Sequence, residues 1–68
     1  MTKQTEPIGH RIRALRIERG LSQSELADAA GVRTMTISDT ERGLTSPSYA
    51  TLARLAVALD CAVAEITG

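Results

Sequence analysis

Residues 20–43 read GLSQSELADAAGVRTMTISDTERG and contain two short helical patterns joined at Gly31. The first pattern opens at Ser22, whose hydroxyl and the Glu25 carboxylate can each accept a hydrogen bond from the other residue's backbone N–H. Gly31 stands directly after the last apolar residue, where a helix end favours a left-handed conformation. A second helical pattern begins within about three residues, so the segment predicts two abutting helices joined by a tight turn.

Each of these two helices has a predicted inner face. The inner face of the first consists of Leu26, Ala27 and Ala30, and that of the second of Ile37, Thr40, Glu41 and Leu44. The latter positions recur at i, i+3, i+4 and i+7, the spacing of one side of a helix. The opposite side of the second helix is polar and short-chained, as expected of a surface that faces solvent or a groove.

Further turn signals divide the rest of the chain into three more helices. Pro7 suits a first helical position, and Ser48 is a plausible N-cap. Apolar stripes are predicted at Ile8, Ile12 and Leu15, then at Tyr49, Leu52, Leu55, Ala56 and Leu59, and finally at Val63 and Ile66. The patterns predict an all-α domain spanning residues 1–68, with helices at about 7–19, 23–30, 34–42, 49–59 and 62–66.

Composition excludes several classes of protein. The chain has 68 residues, 43% of them apolar and 24% charged, which are ordinary globular values. Cys61 is the only cysteine and His10 the only histidine, and no Gly-rich phosphate loop occurs, so we expect no metal, no cofactor and no enzymatic activity. No apolar stretch suits a signal peptide or a membrane span, and we therefore expect a cytoplasmic protein without a membrane partner.

The net charge is zero, but its distribution is uneven. Residues 1–20 hold five cations against two anions, a local charge of +3, and Lys3 and Glu6 are among them. The remaining residues hold three cations against six anions, a charge of −3. Attraction to a polyanion would therefore have to come from local patches of the surface.

The chain resembles the Cro/repressor (XRE) family of helix-turn-helix proteins, which includes the lambdoid phage repressors. The resemblance runs from Ile8 to Ile66 and rests on the joint spacing of Gly20-Leu21-Ser22-Gln23, Glu25-Leu26-Ala27, Gly31-Val32, Ile37-Ser38, Glu41-Arg42-Gly43 and Pro47-Ser48. It implies a compact five-helix bundle of the lambda repressor-like type. It also implies a sequence-specific transcriptional regulator, expected to be a repressor, that binds double-stranded DNA as a two-fold homodimer with helix 3 in the major groove.

The resemblance assigns roles to individual residues. Base reading falls to Thr34, Met35 and Asp39, with Arg33 and Ser38 as contributors, and phosphate contacts to Gln23, Arg42, Thr45 and Ser46. Arg16 and Glu41 occupy the positions of a structural ion pair. The alternatives are a solvated helix face for the base readers and two solvated surface charges for the pair.

The sequence departs from the family pattern at five positions. Arg33 stands where a small N-capping residue is usual, and Thr34 and Asp39 replace the Gln, Arg or Lys often found there. Thr40 fills a position that is normally apolar, and Asp60 replaces a common Gly or Asn. The loss of Arg or Lys removes the commonest guanine contact.

A second hypothesis from another class is an antitoxin or protein-interaction module that uses the same fold with little DNA affinity. Zero net charge and Asp39 favour it. Ile17, Leu44 and Ile66 are candidates for a dimer contact in the regulator hypothesis. No small-molecule ligand is expected, since 68 residues leave no room for an effector-sensing domain.

Overall fold

The computed structural model describes residues 7–68, which form five α-helices and no strand. The helices are α1 (Ile8–Glu18), α2 (Gln23–Ala30), α3 (Thr34–Glu41), α4 (Tyr49–Ala58) and α5 (Val63–Thr67). The predicted all-α fold class is confirmed, and each helix end lies within one residue of its predicted position. Lys3 and Glu6, which contribute to the predicted charge of the N-terminal segment, lie outside the described residues.

Local signals account for most helix ends. The Glu25 backbone N–H donates to the Ser22 hydroxyl at 3.0 Å, and the Ser22 N–H donates to the Glu25 carboxylate at 2.8 Å. Gly31 ends α2 with φ of 72°, a left-handed conformation that glycine adopts without steric cost. Arg33 is the N-cap of α3. Its backbone is extended, and its side chain makes no capping hydrogen bond. Pro7 is the N-cap of α1 and not its first helical residue as predicted, because its ψ of 147° is extended.

The core lies where all five helices meet. Each helix contributes one of the largest fully buried side chains, and the C-cap of α4 contributes a sixth. They are Ile12, Leu26, Ile37, Leu55, Ile66 and the capping residue Leu59. Helix α2 packs on α3 and α4, and α1 packs on α3 and α5. None of the helices between residues 7 and 68 is long and apolar enough to cross a membrane.

Gly9 allows α1 and α3 to approach each other closely. It is buried, and a Cβ added to it would collide with the Thr40 carbonyl oxygen and lie 3.0 Å from the Glu41 Cα. The atoms in the way belong to the backbone of α3 and cannot rotate aside. Only a residue without a side chain therefore permits this spacing of the two helices.

Three predicted placements are wrong. Leu44 is 61% exposed and Tyr49 is 73% exposed, although both were assigned to inner faces. Helix α3 ends at Glu41 and the chain turns away at Gly43, with φ of 78°, so the helical spacing does not extend to Leu44. Tyr49 is the first residue of α4, one turn before Leu52 enters the core. Ile66 is fully buried, which removes it as a dimer contact.

Arg11 of α1 and Arg19, the residue that caps the end of α1, bind the ends of later helices. The Arg19 Nε donates to the Leu59 carbonyl at 2.6 Å, where α4 ends. The Arg11 Nη1 contacts the Glu65 carbonyl in α5 at 3.5 Å. Cationic side chains at helix C-termini interact favourably with the free carbonyls and the helix dipole. These two guanidinium groups therefore contribute to the fold.

Candidate nucleic-acid interface

The outer face of α3, which consists of Thr34, Met35, Ser38 and Asp39, lies at the surface. Met35 is 70% exposed, Thr34 is exposed, and Ser38 and Asp39 are half-buried. Positions 34, 35, 38 and 39 fall on one side of a helix because residues four apart are neighbours on its surface. The structure therefore brings these four predicted base-reading residues together, and the fifth, Arg33, is exposed immediately before the helix.

Arg42 lies beside this face. It is exposed at the C-terminal end of α3, and its Nη2 is 3.8 Å from Oδ1 of Asp39. An exposed pair at this distance adds little stability. It does, however, place a positive charge next to the only negative charge of the outer face.

The inner side of α3 is held by a buried ion pair. The Arg16 Nε and Nη2 donate to the two carboxylate oxygens of Glu41 at 2.7 and 3.0 Å. Only 12% of the Arg16 side chain and 2% of the Glu41 side chain are exposed, so these are not two solvated charges. The hydrogen bond to Glu41 raises the pKa of Arg16 above its ordinary value. Since Arg16 also donates to the carbonyl of Leu21, the residue before the N-cap of α2, at 2.9 Å, the pair joins α1, the turn before α2, and α3.

Gln23 belongs to the same network. It is half-buried at the first position of α2, and its Nε2 donates to Oε1 of Glu41 at 3.1 Å. An amide nitrogen carries two hydrogens, so the second remains available for a phosphate at the helix start, where backbone N–H groups also favour anions. The sequence contains no signal for the Gln23–Glu41 bond, because it depends on how closely α2 and α3 approach.

The other two predicted phosphate contacts lie in the loop after α3. Thr45 and Ser46 are exposed there. They line a shallow depression together with Pro7 and Ile8 at the start of α1. Of the four predicted phosphate contacts, Arg42 alone has a recorded contact with the outer face of α3, through Asp39.

Comparison with known proteins identifies the family. The family model HTH_3, which describes helix-turn-helix domains, matches residues 12–66. The chain belongs to this helix-turn-helix family. The immunity repressor protein of Bacillus phage phi105 is 41% identical over 61 residues, which cover 90% of this chain and 42% of the repressor. The transcriptional regulator SinR of Bacillus subtilis is 46% identical over 57 residues, which cover 82% of this chain and 51% of SinR.

The helix-turn-helix chain also resembles solved structures of such proteins. A crystal structure of SinR in complex with DNA has a TM-score of 0.86 and 42% identity, covering 90% of this chain and 98% of that one. The P22 c2 repressor in complex with a synthetic operator has a TM-score of 0.85 and 35% identity, covering 91% and 94%. The predicted membership of the Cro/repressor family and the lambda repressor-like fold are thereby confirmed. The chain spans about half or less of the length of the two curated relatives.

Proposed function

We propose that this helix-turn-helix chain is a sequence-specific DNA-binding regulator of transcription, acting as a repressor with α3 in the major groove. The observation that carries the proposal is the contrast between the two sides of α3. Its outer face lies at the surface, with Thr34 and Met35 exposed, whereas Glu41 on the inner side is held by Arg16 and Gln23. A short helix anchored in this way presents its outer side chains at a defined orientation, as recognition of base edges requires.

The proposed contacts fall into two classes. Base edges are read by Arg33, Thr34, Met35, Ser38 and Asp39, and phosphates are bound by Gln23, Arg42, Thr45 and Ser46. Phosphate contacts set the register and most of the affinity, whereas base contacts provide sequence discrimination. Support comes from the exposure of Arg33, Thr34, Met35 and Arg42 at α3 and from the DNA complexes of the similar proteins SinR and P22 c2 repressor.

We further propose that the chain acts as a two-fold homodimer in the cytoplasm and by binding rather than catalysis. Two copies would place their α3 helices about 34 Å apart in successive major grooves. Ile17 and Leu44 remain candidates for the contact between copies because both are exposed. Val57 and Tyr49 are exposed as well, and any of these side chains would lose contact with water in such an assembly.

Selection of bound duplexes from a random pool, followed by affinity measurements over a range of salt, tests this function. We expect two related half-sites about one helical turn apart. Arg42→Ala should weaken binding to every sequence and lower the salt slope by about one unit. Arg54→Ala is the matched control, because Arg54 is exposed on α4 beside Gly31, at the opposite end of α2 from Gln23.

Two outcomes would contradict the proposal. Equal losses for the Arg42 and Arg54 variants would show that Arg42 makes no specific phosphate contact. Failure of the wild-type chain to bind any duplex at low salt, together with co-purification of a partner protein, would favour the interaction-module hypothesis.

A further inference from the structure

The outer face of α3 has an unusual set of functional groups for base recognition. It presents two hydroxyls (Thr34 and Ser38), one thioether (Met35) and one carboxylate (Asp39). None of these is an Arg, Lys, Asn or Gln, the side chains that make bidentate contacts to purines. Hydroxyls can donate or accept, but an ionised carboxylate can only accept hydrogen bonds. Asp39 is therefore the one hydrogen-bonding side chain on this face that can act only as an acceptor, so it should favour bases that present a donor.

The major groove offers different partners to such a group. Cytosine presents the N4 amino donor, and adenine presents the N6 donor beside the N7 acceptor. Guanine presents only the acceptors N7 and O6, and thymine presents the O4 acceptor and a methyl group. A carboxylate placed against guanine would lose water without gaining a donor, which is costly for a charged group.

We propose that Asp39 makes the operator specific for cytosine at one base pair of each half-site and excludes guanine from that position on the same strand. This step rests on the proposed DNA binding and assigns a base preference to it. The short side chain favours the assignment, since Asp39 is half-buried and its carboxylate cannot move far from the helix. The preference thus comes from acceptance of the N4 hydrogen and from repulsion of guanine.

Arg42 explains how a carboxylate can enter a groove lined by phosphates. Its Nη2 is 3.8 Å from the Asp39 Oδ1, so the positive charge offsets the repulsion between Asp39 and the DNA backbone. A guanidinium group has five N–H donors, and those not directed at Asp39 remain free for a phosphate. Arg42 therefore lowers the electrostatic cost of placing Asp39 near phosphates and is also a proposed phosphate contact.

The test compares the duplexes selected by the wild-type chain, by Asp39→Asn and by Asp60→Asn. Asp60→Asn is the matched control, because it also removes one negative charge but lies in the turn after α4. Its φ of 55° is one that asparagine tolerates. We expect one half-site position to change from cytosine to adenine in Asp39→Asn, since an Asn side chain pairs with adenine N6 and N7. Asp60→Asn should select the wild-type sequence, and circular dichroism should show that both variants are folded.

Affinities for the four versions of that base pair, measured at one salt concentration, quantify the effect. The wild-type chain should bind the cytosine version about tenfold more tightly than the guanine version, in the range typical of a mismatched pair. Asp39→Asn should lose this discrimination. A uniform rise in affinity across all four versions would overturn the proposal, because Asp39 would then only repel the backbone.

The failure of this inference differs from the failure of the proposed function. Identical base preferences in the wild-type and Asp39→Asn proteins, with specific binding retained, would overturn the role of Asp39 alone. A wild-type protein that selects no duplex would overturn the DNA-binding function and this inference together.

Discussion

Replacement of Gly9 by alanine tests whether the close approach of α1 and α3 is required. In an exposed helix this change would stabilise the protein by about 1 kcal/mol, because alanine is the better helix former. Here the new Cβ would collide with the Thr40 carbonyl oxygen and lie 3.0 Å from the Glu41 Cα. Overpacking a core costs about 1–3 kcal/mol, and the upper end applies because backbone atoms cannot rotate aside. The net expectation is a loss of about 2 kcal/mol.

Thermal unfolding followed by circular dichroism measures this loss. For a domain of this size, 2 kcal/mol corresponds to a fall in Tm of about 8–16 °C. Gly20→Ala is a useful comparison, because Gly20 has φ of 71° and a Cβ there would meet nothing within 4 Å. In Gly20→Ala the free energy of unfolding should fall by about 1–2 kcal/mol from the left-handed backbone conformation alone, since the new Cβ meets no other atom. A Gly9→Ala protein with a Tm equal to or above that of the wild type would refute the collision argument.

Other substitutions test the interior and the surface of the site. Glu41→Ala should lower the free energy of unfolding by about 3–5 kcal/mol, because the buried Arg16 guanidinium loses its partner. In denaturant titrations, the double variant that also carries Arg16→Ala should lose less than the sum of the two single variants. Thr40→Val should raise the free energy of unfolding by about 1 kcal/mol, since Oγ1 is buried without a partner among the described residues; a lower Tm would contradict this. The exposed thioether of Met35 is suited to contact a thymine methyl group. Replacing that thymine by uracil in the selected operator should therefore weaken binding of the wild-type chain about fourfold. Met35→Ala should show a smaller loss on the same replacement.

The sequence predicts those parts of the fold that depend on local chemistry. The capping box at Ser22 and the turn at Gly31 lie within a few residues of the atoms that they bind, so their spacing is visible in the chain. Leu44 was misplaced because helical spacing alone does not report that α3 has already ended. The collision around Gly9 and the bond from Gln23 to Glu41 depend on distances between helices. No local pattern contains those distances, and they were found only in the structure.

The sequence also does not show which charged side chains are free to contact DNA, because this depends on how the helices pack. The sequence places a local charge of +3 in residues 1–20, which would favour attraction to DNA. In the structure, Arg16 is buried against Glu41, Arg19 binds the carbonyl at the end of α4, and Arg11 contacts a carbonyl of α5. Three arginines of the basic segment therefore act within the fold. Because their guanidinium groups already bind protein carbonyls or a carboxylate, they are poorly placed to contact phosphates and release counterions from DNA.

Two exposed cations stand at the ends of α3: Arg33, proposed as a base reader, and Arg42, proposed as a phosphate contact. Each neutralised phosphate contributes about −0.9 to the slope of log affinity against log salt, so Arg42 alone gives a slope of about −1 per chain, and a second contact from Arg33 in place of base reading would give about −2. Proteins with many phosphate contacts show much steeper slopes. A shallow slope combined with clear base discrimination would mean that this surface depends on contacts to base edges more than on charge. A slope of about −4 or steeper per chain would instead require phosphate contacts from further cations, such as the exposed Arg13 of α1, or from arginines that leave their protein partners on binding.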